Sequence, residues 1–163
     1  MARKETSVGT PATVALAEAN VAFTPHPYDH EAAAAGYGLE AAAALGLPTT
    51  RVFKTLLADV DGTLVVAVVP VAGQLDLKAL ASAVGGKKAR MADSRLAERK
   101  TGYVVGGISP IGQKTRLRTV LDASAAQFDT VFVSGGRRGF DIELAPGDLA
   151  TVTNATIAGI GKG

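Results

Sequence analysis

The chain has 163 residues, a net charge of +2, 47% hydrophobic and 20% charged residues, and no cysteine. That length suits one ordinary domain burying roughly two-thirds of its surface, and the composition excludes a disordered chain. Lack of cysteine excludes a disulfide framework, a thiolate nucleophile and a cysteine-based zinc site. No apolar run is long enough to span a bilayer, and Met1 to Ser7 are followed by no hydrophobic segment of a signal peptide. Residues 1–9 read as a mobile tail before a single domain spanning 10–163, with a cytoplasmic location as the default expectation.

The net charge conceals a segregation. Between Gly85 and Arg118 lie nine basic residues, Lys87, Lys88, Arg90, Arg95, Arg99, Lys100, Lys114, Arg116 and Arg118, opposed only by Asp93 and Glu98. This segment carries +7 and the remainder −5. A polyanion such as nucleic acid would meet such a band through its phosphates, although a solvated basic face gives the same pattern.

In chain order, Thr10-Pro11 reads as an N-cap with proline at the first helical position, opening a helix that stops near Asn20. Val21 to Thr24 begins an extended segment, kept from helix by Pro25 and Pro27. His26 and His30, with Asp29 and Glu31, invite a metal reading; without an HExxH pattern, further histidines or cysteines, no metal is expected. Ala32 to Gly36 is small and featureless, and a helix follows from Leu39 to Leu45, closed by Gly46.

Val52 to Ala58 reads as a strand in which Val52, Lys54 and Leu56 share one face and Phe53, Thr55 and Leu57 the other. A lysine within an apolar row is costly to bury. It either faces solvent from an edge strand or lies on the floor of a cleft aimed at an anionic or carbonyl-bearing ligand. Asp61-Gly62 is a hairpin signal joining this strand to Leu64–Val69, which is apolar on both faces and therefore central. A packed neighbour weakens the solvent-facing reading.

Asp76 caps a helix through Val84, ended by Gly85-Gly86. Lys87 to Met91 is a short basic strand, and Asp93 caps a helix ending before Gly102. Tyr103 to Val105 reads as a brief strand running into the glycine-rich loop from Gly106 to Lys114, which is either a simple turn or a source of N–H donors for an oxyanion. It has neither the P-loop nor the dinucleotide-binding order. Strands are expected at Arg118–Asp122, Thr130–Ser134 and Phe140–Leu144, with a short helix over Ala123–Phe128 and a turn over Gly135–Gly139. The last pair would place Ser134 and Asp141 together beside the turn. A final helix starts at Pro146, and a glycine-rich tail follows Thr156. The fold class is α+β, around a mixed, barrel-like sheet with flanking helices.

Four segments occur here in one order: Val52–Leu57, Val71–Asp76, Thr101–Pro110 and Ser134–Leu144. Together they resemble the bacterial YbaK/EbsC family of aminoacyl-tRNA deacylases, free-standing relatives of the editing domain of prolyl-tRNA synthetase, over about Pro11 to Asp148. The resemblance implies trans-editing of mischarged tRNA, Cys-tRNA(Pro) first, with tRNA and a prolyl-tRNA synthetase as partners and no cofactor. By position it implies an essential lysine at Lys54 and pocket glycines at Gly106 and Gly107. It further implies substrate-binding residues at Tyr28, Tyr37, Thr55, Ser134, Gly136 and Asp141. The basic band would then meet tRNA phosphates, with Lys87, Lys88, Arg90, Lys114 and Arg116 foremost. Two departures stand out: Tyr37 replaces the family's phenylalanine behind the plain run Ala32–Ala35, and the Asp59–Thr63 loop is shorter.

An aminoacyl ester is already activated, so such a pocket needs positioning and electrostatics more than a strong protein nucleophile. The absence of cysteine and of a G-x-S-x-G serine fits this. In the family the attacking group is the substrate's own thiol, which cyclises onto its ester carbonyl. The alternatives are the same fold acting on another charged tRNA, such as Ala-tRNA(Pro), and a module that binds tRNA or a synthetase without catalysis.

Overall fold

The computed structural model describes residues 9–30 and 36–163; the expected mobile tail, but for Gly9, and the Ala32–Ala35 run lie outside them. The first helix, α1 (Pro11–Glu18), starts where expected, with Thr10 Oγ1 accepting the Thr13 N–H at 3.2 Å. Strand β1 (Thr24–Pro27) contains both prolines, which an edge strand tolerates because its unpaired side needs no N–H donors. Helix α2 (Tyr37–Leu45) begins two residues earlier than expected and ends at Gly46 in the left-handed region, φ 68°.

Strands β2 (Phe53–Val60) and β3 (Thr63–Pro70) form the expected hairpin, with Lys54 opposite Val69. Asp61 and Gly62 both have positive φ, 52° and 91°, as a two-residue turn of this hand requires. Asp59 Oδ1 accepts the Gly62 N–H at 2.7 Å. Val65 to Val69 are all buried, since β3 is central: β2 pairs on one side, and β6 (Arg118–Asp122) pairs in parallel on the other.

Short β4 (Gln74–Leu75) leads to α3 (Leu77–Ala83), which Asp76 caps through the Ala79 N–H. Strand β5 (Ala89–Met91) pairs with β2, and α4 (Ser94–Thr101) is capped by Asp93 and ends at Gly102. The brief strand expected at Tyr103–Val105 does not form. Tyr103 is instead buried, its hydroxyl donating to the Ile111 carbonyl at 2.6 Å, and the backbone there turns.

A 3-10 turn (Ala123–Gln127) precedes β7 (Val131–Arg137) and β8 (Phe140–Leu144). The glycine turn expected at 135–139 is shorter, because β7 runs on to Arg137 with a register shift after Ser134. Helix α5 (Pro146–Thr153) follows, and the expected glycine tail holds two strands, β9 (Thr156–Ala158) and β10 (Gly161–Lys162).

The strands form a five-stranded mixed sheet (β5-β2-β3-β6-β9), a three-stranded sheet (β1-β8-β7) and the pair β10-β4. Among the described residues they do not close into a barrel; a single parallel bridge, Val52 to Phe132, joins the two larger sheets. That bridge sets the start of β2 beside β7. The two faces of β2 enter different cores: Phe53 and Leu57 pack with Ile142 and Phe140, and Val52 packs with Ala41, Val71 and Phe132.

A β-carbon at Gly62 would meet nothing within 4 Å, so only its backbone conformation resists substitution. Gly62→Ala is expected to lower unfolding stability by about 1–2 kcal/mol in urea titration, with the denaturant slope unchanged.

Candidate active site

A cavity of about 290 Å³ opens between β2, α2, β5 and the β7–β8 hairpin. This is near the lower end of the ~300–1,000 Å³ typical of small-molecule sites. Its lining includes Lys54, Thr55, Tyr28, Tyr37, Gly106, Ser134 and Asp141, seven residues drawn from six separate parts of the sequence. The Val52–Phe132 bridge accounts for the convergence, because it brings Lys54 and the Ser134–Asp141 pair to one place.

Lys54 is partly buried, and its Nζ donates to the carbonyl of Gly73 at 2.9 Å. It is therefore neither a free edge lysine nor an ammonium buried without a partner. Thr55 Oγ1 is buried with no hydrogen-bond partner, an unmet polar group in the cavity wall.

Asp141 is 5% exposed and lies opposite Ser134 across the hairpin. Burial pushes its carboxyl up to about 7, since leaving water disfavours the charged form. Tyr28 is pushed up to about 12, first by burial and then by the negative charges of Asp141 and Glu40.

Tyr37, partly exposed, stacks on His30 with ring centroids 5.9 Å apart, and the Arg138 guanidinium sits 4.9 Å from its ring centre on the same residue. His30 in turn contacts Glu40 at 2.8 Å. Gly106 has φ 92°, and a β-carbon there would fall 2.7 Å from the Tyr37 ring, so glycine is required for both reasons.

Two expected pocket glycines lie elsewhere. Gly107 does not line the cavity: its N–H donates to the Val104 carbonyl at 2.8 Å, and it packs against the backbone of Arg137 and Arg138. Gly136, with φ 111°, lets β7 pass close to Tyr103 and Thr10. Both serve close backbone packing. The sequence reading also missed the apolar wall, to which Met91, Ala97, Val105 and Ile108 contribute, and the Gly73 carbonyl that holds Lys54. Gly73 lies within one of the four family-like segments, but sequence does not say which carbonyl a lysine will reach.

The two histidines each pair with a carboxylate. His26 pairs with Glu143 at 2.8 Å, beside Arg51 and Phe132, and His30 with Glu40. Among the described residues no three His, Cys, Asp or Glu side chains gather as metal ligands. Lys87, Lys88, Arg90, Lys114 and Arg116 are all exposed. The Lys87 and Lys88 N–H groups are held by the Asp61 carboxylate, and β5, which carries Arg90, ends at Met91 in the cavity wall. No helix among the described residues is long and apolar enough to cross a membrane.

The cavity thus joins a partly buried lysine, neutral and acidic polar groups and an apolar wall, with the end of β5 at its rim. The model of the aminoacyl-tRNA editing domain family matches residues 32–152. EbsC of Enterococcus faecalis V583, assigned as a Cys-tRNA(Pro)/Cys-tRNA(Cys) deacylase, is 39% identical over 165 residues covering 98% of each chain. The crystal structure of a protein assigned as a trans-editing enzyme for prolyl-tRNA synthetase superposes with TM-score 0.79 at 25% identity, covering 94% of this chain and 96% of that one. That of the hypothetical protein APE2540 gives 0.84 at 23% identity, over 94% and 100%, and bears on the fold alone. The chain belongs to the aminoacyl-tRNA editing family, in its YbaK/EbsC branch, and is an aminoacyl-tRNA deacylase.

The raised pKa of Asp141 has a sign. Its ordinary value is 3.8 and the folded value about 7, so the folded state retains a proton that the unfolded state has lost between these pH values. The Asp141 contribution to stability should be full below pH 4 and fall as pH rises to about 7, by up to ~1.4 kcal/mol per pH unit. In Asp141→Asn this component should vanish, measured as urea unfolding free energy against pH for both proteins.

Proposed function

We propose that the protein removes cysteine from mischarged tRNA in trans, Cys-tRNA(Pro) first, with the substrate's thiol as the attacking group. The observation that carries this is the make-up of the cavity: a held lysine and polar side chains, with no histidine or cysteine among its lining residues. Ser134 is present, but its Oγ accepts the Gly136 N–H and no histidine borders the cavity to act as its base.

In this reading the thiol sulfur bonds to the ester carbonyl carbon. The ester C–O bond then breaks, and its electron pair leaves on the ribose oxygen, which takes a proton. The resulting thiolactone opens in water. Lys54 donates to an oxygen of the reacting ester or the terminal ribose, and the Gly106 amide is the remaining backbone donor of the glycine pair. Tyr28, Thr55, Ser134 and Asp141 hold the aminoacyl group, with Tyr37 at the entrance. An apolar pocket alone separates amino acids differing by one methylene by only ~1–3 kcal/mol, so a chemical requirement for a thiol supports selectivity better than shape. Exposed Lys87, Lys88 and Arg90, on and before the strand whose last residue lines the cavity, with Lys114 and Arg116, supply phosphate contacts that carry little tRNA identity. A prolyl-tRNA synthetase partner would supply that identity.

Lys54→Ala should lower single-turnover deacylation of Cys-tRNA about 100- to 1,000-fold; hydrolysis at the wild-type rate would remove Lys54 from the chemistry. On a panel of charged tRNAs, Ala- and Ser-tRNA should be spared, and equal hydrolysis of Ala-tRNA would replace the thiol route with a water route. Each of Lys87→Ala, Lys88→Ala and Arg90→Ala should weaken tRNA binding irrespective of sequence and reduce the slope of log K against log salt by about 0.7–0.9.

A further inference from the structure

The segment after β9 makes contacts that the deacylation chemistry leaves unexplained. Ile160 is fully buried in the core that holds Leu75, Leu80 and Val120. Asp122, 7% exposed at the end of β6, accepts the N–H groups of Ile160 and Gly161 on Oδ1, both at 2.8 Å. Burial works against its charge, yet hydrogen bonds from Ser124, Ile160 and Gly161 hold its carboxyl below the ordinary range. Beyond this anchor β10 pairs with β4, Gly161 opposite Leu75 and Lys162 opposite Gln74, and the Asp76 N–H donates to the Ile160 carbonyl at 2.7 Å.

Gly73 lies directly against this strand: a β-carbon there would stand 2.6 Å from the Lys162 carbonyl oxygen. The carbonyl of the same Gly73 accepts from Lys54 Nζ. One residue therefore meets the β10 backbone and the cavity lysine at once. A lysine side chain has considerable rotamer entropy to lose. Its ammonium has three donors, and fixing one on a rigid carbonyl restricts the directions of the other two. A carbonyl in a turn is rigid only if the turn is supported.

We propose that the segment Ile160–Lys162, anchored by Asp122, is a positioning element for Lys54: it supports the Gly73 carbonyl that aims Nζ into the cavity. The inference rests on Lys54 acting in deacylation. A misplacement of about 1 Å can cost on the order of 100-fold in rate, which gives the segment its leverage.

Two variants test it. Gly73→Ala puts a methyl against Lys162; the backbone of Gly73 lies outside the left-handed region, so alanine is otherwise tolerated. A chain stopped after Gly161 removes Lys162 while retaining buried Ile160 and its bonds to Asp122. With thermal unfolding and far-ultraviolet circular dichroism establishing that each is folded, both should lower kcat on Cys-tRNA about 10- to 100-fold, with KM within about twofold of wild type. The double variant should be no slower than the stopped chain alone, since the methyl then has nothing to strike.

A second readout is acetylation of Lys54 by an N-hydroxysuccinimide ester, followed by mass spectrometry against exposed Lys78. It should change severalfold in both variants. Wild-type kcat in either folded variant, additive losses in the double variant, or unchanged Lys54 reactivity would overturn the proposal. Full activity of Lys54→Ala would instead overturn the catalytic role of the lysine, and the reactivity measurement alone would then decide whether the segment positions it.

Discussion

A charged amine half-way into an apolar wall is the constraint around which the rest of the site is arranged. Lys54 cannot enter the cavity without a partner, because an ammonium stripped of water and unpaired is prohibitively costly. It does not lie in bulk solvent either, being partly buried in the cavity wall. The Gly73 carbonyl resolves the conflict at 2.9 Å. It gives the lysine one charge-assisted hydrogen bond beside an apolar lining. The Val71–Asp76 segment thus contributes a backbone oxygen to the site, and its side chains are secondary there.

Asp141 shows the opposite response to the same environment. It is more deeply buried than Lys54, and desolvation alone raises its carboxyl to about 7. The group is thus poised between neutral and ionised near physiological pH, in the wall of the cavity. Glu143, two residues along the same strand face, makes the comparison. Bonded to the Thr130 hydroxyl and flanked by His26 and Arg51, it stays below the ordinary carboxylate range. Environment separates the two carboxyls, not position along the strand. The acid whose shift comes from burial is the one that lines the cavity.

Glycine carries much of the site's geometry, in distinct ways. Gly106 clears space for the Tyr37 ring, whereas Gly107 and Gly136 allow backbones to approach Arg137 and Thr10. Gly38 sits against Val71, with Lys54 Cβ at 3.9 Å from where its own β-carbon would be, so α2 can lie over the lysine stem. The glycine-rich motifs shared with the family therefore describe packing around the pocket as much as contact with a ligand.

The order of elements was legible in the residues themselves, wherever the governing interaction is local. Asp61-Gly62 dictates the hairpin because both turn residues need positive φ, and Thr10, Asp76 and Asp93 dictate helix starts because each reaches an N–H three residues on. Alternation along β2 and β8 likewise assigned Lys54 and Asp141 to their strand faces. Interactions between residues far apart in the chain were decided only by the tertiary structure. They include the parallel pairing of β3 with β6, the Val52–Phe132 bridge, the burial of Asp141 and the Gly73 carbonyl held between Lys54 and β10. The strand's own pattern marked Lys54 as out of place, and the resemblance of its segment to a known family, not that pattern alone, pointed it at a cleft. What holds it in place could not be read there, because a backbone carbonyl is present at every residue and only the fold selects one.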